Sequence, residues 1–194
     1  MNIKQRYASM FQEIKILILE PKKFWKGKQS EGYQEQVVVN IFMHLVVWVG
    51  LAVFVGELIH SFEIIWSYAF LRGITEMISF SLQFMIAVPV LSALLKNYGG
   101  TTNKKILRMV LVYAYVPYLL ATIIYALLPG FYIVLFSGLY GFYLFAIGAL
   151  VLLEIPVENQ SRYIILAILL IILTFELVNI LCWKLFQALF PYGA

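Results

Sequence analysis

The chain has 194 residues, of which 63% are hydrophobic and 12% charged, against about 25% charged residues in an ordinary soluble domain. No soluble core of this size can hide so much apolar surface, so lipid is the expected solvent, and the net charge of +4 reads as membrane topology and headgroup contact rather than nucleic-acid binding. Cys182 is the only cysteine, which excludes intramolecular disulfides and cysteine-based metal clusters.

Residues 1–36 form a charged head, and no cleaved leader is expected, because the first long apolar run starts only at Val37. Within the head, Ile3, Tyr7, Met10, Phe11, Ile14, Leu17 and Ile18 recur at three- and four-residue spacing, which predicts an amphipathic helix lying at the membrane interface. Pro21 interrupts that pattern. Lys22, Lys23, Phe24, Trp25 and Lys26 then combine cationic tips with two aromatics, a composition suited to a juxtamembrane anchor or to docking anionic lipid or a cytoplasmic partner.

Apolar spans follow at about 37–59, 74–95, 106–128, 131–153 and 163–187. The run from Met109 to Leu153 carries no charge and is long enough for two crossings, with Pro129-Gly130 supplying the turn between them. Helices are required, since hydrocarbon cannot satisfy open backbone groups and the runs lack the alternation of a barrel. The expected fold is an all-α membrane protein: five transmembrane helices in one bundle, residues 37–194, behind an interfacial helix. Of the 14 Lys and Arg residues, twelve lie in the head or at the ends it shares, leaving only Arg72 and Lys184 opposite. That bias predicts a multi-pass inner-membrane protein with the N-terminus cytoplasmic and the C-terminus outside.

Polar groups inside the spans need explanation, because a central charge costs ~2.5–3.5 kcal/mol on insertion scales. Glu176 lies near the middle of the fifth span, with Thr174 and Asn179 close by and Gln83 of the second span at similar depth, so a Glu176–Gln83 hydrogen bond is one expectation. Glu176 is either a protonated packing group or an ion or proton site. His44, one turn from Asn40, reads as a packing hydrogen bond. Glu57, His60 and Glu63, with Glu76 at the same level, resemble half of a metal motif, but Arg72 stands one turn from Glu76 as an ion partner and no metal is expected. Pro89 and Pro117 predict kinks in the second and third helices. Ser137, Gly138, Gly141, Gly148 and Ala149 offer small surfaces for close helix approach. No catalytic or cofactor-binding constellation appears in the sequence, which predicts a protein that is not an enzyme.

Several stretches carry a family likeness. Ile18-Leu19-Glu20-Pro21-Lys22-Lys23-Phe24-Trp25 resembles the proline-basic-aromatic opening of bacterial members of the Yip family, the Ypt/Rab-interacting membrane proteins. Asn97-Tyr98-Gly99-Gly100 with Lys104, Tyr113-Ala114-Tyr115-Val116-Pro117, and Leu139-Tyr140-Gly141-Phe142-Tyr143-Leu144 with Gly148 resemble its middle and fourth-span patterns. The resemblance implies a five-helix bundle with a cytoplasmic N-terminus. Eukaryotic relatives associate with small GTPases in vesicle traffic, but this head has no aspartate and lacks their D-L-Y-G-P segment, so GTPase binding does not carry over. The leading expectation is a non-enzymatic protein that organises membrane or partner proteins through its basic head. Membrane lipids, anionic ones included, and an unidentified protein are the candidate partners, and homo-oligomers stay open. A small transporter or channel lined by Glu176, Gln83 and Asn179 is the alternative.

Overall fold

The structure, a computed structural model, describes residues 3–32, 35–61, 65–101 and 103–189, with the side chains of residues 3–8 and 35–38 not described. Glu63 and the side chains of Ile3, Lys4, Arg6 and Tyr7 therefore lie outside the described residues. The head consists of α1 (Ile3–Leu19) and α2 (Pro21–Glu31). The bundle follows as α3 (Glu35–His60), α4 (Trp66–Asn97), α5 (Lys104–Leu127), a 3-10 segment (Pro129–Leu139) running into α6 (Tyr140–Leu152), and α7 (Val157–Leu189). Five of these stretches are long and apolar enough to cross a membrane: Val39–His60, Trp66–Asn97, Lys104–Leu127, Pro129–Leu152 and Val157–Leu189.

Two spans start earlier than their apolar runs suggest. α4 begins at Trp66 rather than near residue 74, because Trp66 and Phe70 pack on Phe54 of α3, with ring centroids 6.3 and 6.4 Å away. α7 begins at Val157 rather than 163; Gln160 donates to the Ile155 carbonyl at 3.0 Å and Asn159 to the Tyr98 carbonyl at 3.3 Å, so polar side chains anchor its first turn. Both prolines lie inside their helices: α4 runs through Pro89 and α5 through Pro117. What each proline removes is one donor to the carbonyl four residues earlier.

α5 is the axis of the bundle, and residues from Leu107 to Pro117 are buried almost without break. α3 packs between α5 and α4, the fourth span lies along α5, and α7 lies along α4 while touching α6 only sparsely. Glycine sets two of these approaches. A Cβ on Gly73 would stand 2.6 Å from the Gly50 carbonyl oxygen, and one on Gly141 would collide with the Ala114 carbonyl, so α3–α4 and α5–α6 meet backbone to backbone. Because α7 rests on α4, the fourth span and α7 leave a gap between them across α5. The lysine-rich head, Lys96, Lys104, Lys105, Arg108 and Arg162 share one end of the bundle, called the basic end below.

Candidate functional site

Three polar features interrupt the apolar bundle, and the first is the seat of the head. Phe24 and Trp25 are buried, Trp25 completely, although the sequence suggested lipid- or partner-facing aromatics. The cause lies far along the chain. Gly148 on α6 has no side chain, and a Cβ there would come within 2.8 Å of Trp25 Cε2 and Cζ2, so the indole fills the space glycine leaves. Phe24 and Trp25 also meet the Tyr113 ring edge-on at 4.7 and 5.8 Å, which locks α2 against α5 as well. Lys22, Lys23 and Lys26 remain exposed.

An ionic contact fastens the two head helices together. Lys28 Nζ lies 3.1 Å from both Glu13 and Glu31 and over the Phe24 and Tyr113 rings, while the Tyr113 hydroxyl donates to Glu13 Oε2 at 2.9 Å. Glu13 thus accepts from a cation and a phenol on two different elements, which gives strong charge-assisted bonds. The Tyr140 hydroxyl donates to the Ile18 carbonyl at 2.9 Å, and Gln29 donates to the Val151 carbonyl at 3.3 Å. The apolar face expected on α1 is divided: Ile14 and Leu17 turn into the bundle, while Phe11 turns out, as does Leu19 beside that face. Neither Glu13 nor Lys28 stood out in the sequence; the one usable signal was that Glu13 is the sole acidic residue of α1.

At the opposite end, α4 turns a polar stripe toward α7. Arg72, Glu76, Ser79 and Gln83 recur every three or four residues, and the stripe reaches ~16 Å down the helix. Arg72 lies 2.9 Å from Glu76, 3.9 Å from Glu57 on α3, and 4.9 Å from the Trp183 ring. Deeper, Ser79 donates to Asn179 Oδ1 at 3.0 Å, and Gln83 Nε2 lies 3.1 Å from Ser79 Oγ and 3.4 Å from Asn179 Oδ1. The interhelical partner of Gln83 is therefore Asn179, not Glu176, because Asn179 occupies the side of α7 that faces α4. Gln83 Oε1 is buried without a hydrogen-bond partner. A cavity of about 310 Å³ lies above this pair, lined by Arg72, Thr75, Glu76, Ser79, Asn179 and Trp183 among others. The half-metal motif dissolves into these contacts: Glu57 and Glu76 turn to Arg72, and His60 Nδ1–H donates to the Gly56 carbonyl at 2.8 Å. Among the described residues no three His, Cys, Asp or Glu side chains gather as a metal site.

Glu176 stands apart from this stripe. It is exposed on the chain, and it lines a second cavity, also about 310 Å³, in the gap between α5, the fourth span and α7. The walls are otherwise nearly all apolar, with the half-buried Tyr118, Phe142 and Phe175 supplying aromatic surface. The remaining candidates are local. His44 Nδ1–H donates to the Asn40 carbonyl one turn earlier at 2.6 Å, and Cys182 is a buried thiol.

Comparison with known proteins gives one match and two blanks. The family model described as the Yip1 domain matches residues 14–178, from the middle of α1 into α7. No curated protein and no solved structure matches the chain.

Proposed function

The chain belongs to the Yip1 domain family of multi-pass membrane proteins, and from that premise we propose that it is a non-enzymatic protein of the cytoplasmic membrane whose docked head collects anionic lipid. The observation that carries the reading is the division of α2 into two arcs. At ~100° per residue, Lys22, Lys26 and Lys23 fall within one ~100° arc, and Phe24 and Trp25 fall in the arc opposite. Burial of the aromatic arc against Gly148 and Tyr113 therefore holds the three lysines outward on a rigid support. Groups fixed in this way lose less conformational freedom on binding than lysines on a loose tail. Phe11 and Leu19, exposed on α1, add to the head an apolar component suited to the headgroup boundary.

The concentration of basic residues at this end supports a cytoplasmic orientation for it. Each lysine near an anionic leaflet contributes ~1 kcal/mol; Lys23 already lies 2.9 Å from the Glu20 carboxylate, so Lys22 and Lys26 carry most of the effect, roughly one and a half decades in local enrichment of acidic lipid. The organising role follows from that enrichment: a fixed cationic surface gathers acidic lipid around the bundle. The test is thermal unfolding of the full chain in nanodiscs of phosphatidylcholine with and without phosphatidylglycerol. Anionic lipid is expected to raise the melting temperature of the natural chain, and Lys22→Gln, Lys23→Gln and Lys26→Gln combined are expected to remove at least half of that rise. An equal rise in both proteins would defeat the proposal.

A further inference from the structure

The groove beside Glu176 is a ligand site by its chemistry, and we propose that it binds a lipophilic cation, an amphiphile with an aromatic or alkyl body and a positively charged nitrogen or phosphorus head. Its size, about 310 Å³, is that of a small-molecule site. It exists because α7 leans on α4 and leaves the fourth span uncovered; the 3-10 segment Pro129–Leu139 buries no residue at all. The groove therefore opens sideways to hydrocarbon, which is where an amphiphile would arrive from.

The polar groups define the ligand's charge. Glu176 lies ~21 Å along α7 from Arg162 and ~12 Å from Lys184, well inside the apolar span. It makes no hydrogen bond or salt bridge with any described residue, since Arg72 is already held by Glu57 and Glu76. An acidic side chain inside the span with no cationic side chain in contact is complementary to a cation and to nothing anionic. Around it, Tyr118 and Phe175 meet edge-on at 5.0 Å, and with the half-buried Phe142 they line the groove with aromatic surface of the kind that attracts positive charge.

This inference does not depend on the head or its lysines. The test uses the full chain in nanodiscs with radiolabelled tetraphenylphosphonium as probe, protein-free nanodiscs to subtract partition into lipid, and tetraphenylborate as the anion of the same shape. Saturable binding of the cation is expected, with tetraphenylborate showing none. Glu176→Gln keeps the size of the side chain and is expected to weaken binding at least tenfold. Ile172→Trp, at an exposed position of the groove wall, keeps the carboxylate but fills the space, and is expected to abolish binding. Absence of saturable binding, equal binding of the borate, or unchanged affinity in Glu176→Gln overturns the proposal. If Glu176→Gln fails to elute as a folded protein, Ile172→Trp decides alone, and undiminished binding there overturns it equally.

Discussion

Truncation of Trp25 should release the head without unfolding the bundle. The indole is fully buried, stacked edge-on with Phe24 and Tyr113 and seated on Gly148. Removing a buried tryptophan to alanine costs about 3–5 kcal/mol by lost contacts and residual cavity. One feature lowers that figure: Trp25 Nε1 has no hydrogen-bond partner, so truncation also removes an orphaned donor that costs roughly 1 kcal/mol or more to bury. The expected loss is then about 2–4 kcal/mol, and at ~1.4 kcal/mol per decade it corresponds to roughly 1.5–3 decades in the opening equilibrium of the head. Most of it should appear locally, because α2 sits on the flank of the bundle while α5 lies at its axis. Hydrogen exchange of the full chain in nanodiscs reads this directly: amides of residues 21–31 should lose 30- to 1,000-fold in protection, while those of residues 104–127 change by less than threefold. Loss below tenfold in α2, or equal loss in both segments, would refute the reasoning.

Three other outcomes follow from the same contacts. Glu13→Gln keeps the shape of the acceptor but weakens its bonds to Lys28 and Tyr113 from charged to neutral strength, so α2 amides should lose about tenfold in protection, some 1–1.5 kcal/mol, in the same exchange experiment. Arg72→Leu leaves Glu57 and Glu76 without a counter-charge and should cost about 1–3 kcal/mol, whereas Gln83→Leu gives up one interhelical bond worth ~0.6 kcal/mol and a bond within α4 while removing an unpaired oxygen, so its melting temperature in detergent should stay close to that of the natural chain. With the native thiol replaced by Cys182→Ala, Lys184→Cys should react with a membrane-impermeant maleimide on intact cells and Lys104→Cys should not; the reverse pattern would invert the proposed orientation.

Depth was legible in the sequence where direction around a helix was not. Apolar length located all five spans, since a hydrocarbon core admits few other solutions, and rise per residue put Gln83 and the middle of α7 at one level. Which α7 residue meets Gln83 depends on how that helix is rotated against α4, and that rotation is set by packing along its whole length. Hence Asn179 takes the contact and Glu176 turns to the groove. The pairing of Arg72 with Glu76 was readable because both partners share one helix face at a fixed spacing. The burial of Phe24 and Trp25 is not legible in the sequence, because an aromatic flanked by lysines looks the same whether it faces lipid or protein. Only the juxtaposition with Gly148 and Tyr113, more than eighty residues away, decides it. The earlier start of α4 was hidden for a similar reason: Trp66 and Phe70 are ordered by Phe54 of α3, not by their own neighbours in sequence.

The most direct test of the cationic head is a count of the lipids it retains. Native mass spectrometry of the full chain, released from mixed micelles holding equal phosphatidylglycerol and phosphatidylcholine, should find the natural protein carrying more of the anionic lipid. The protein with Lys22, Lys23 and Lys26 replaced by glutamine should lose that preference while keeping its mass and charge-state distribution. Equal retention of phosphatidylglycerol by both proteins would contradict the account.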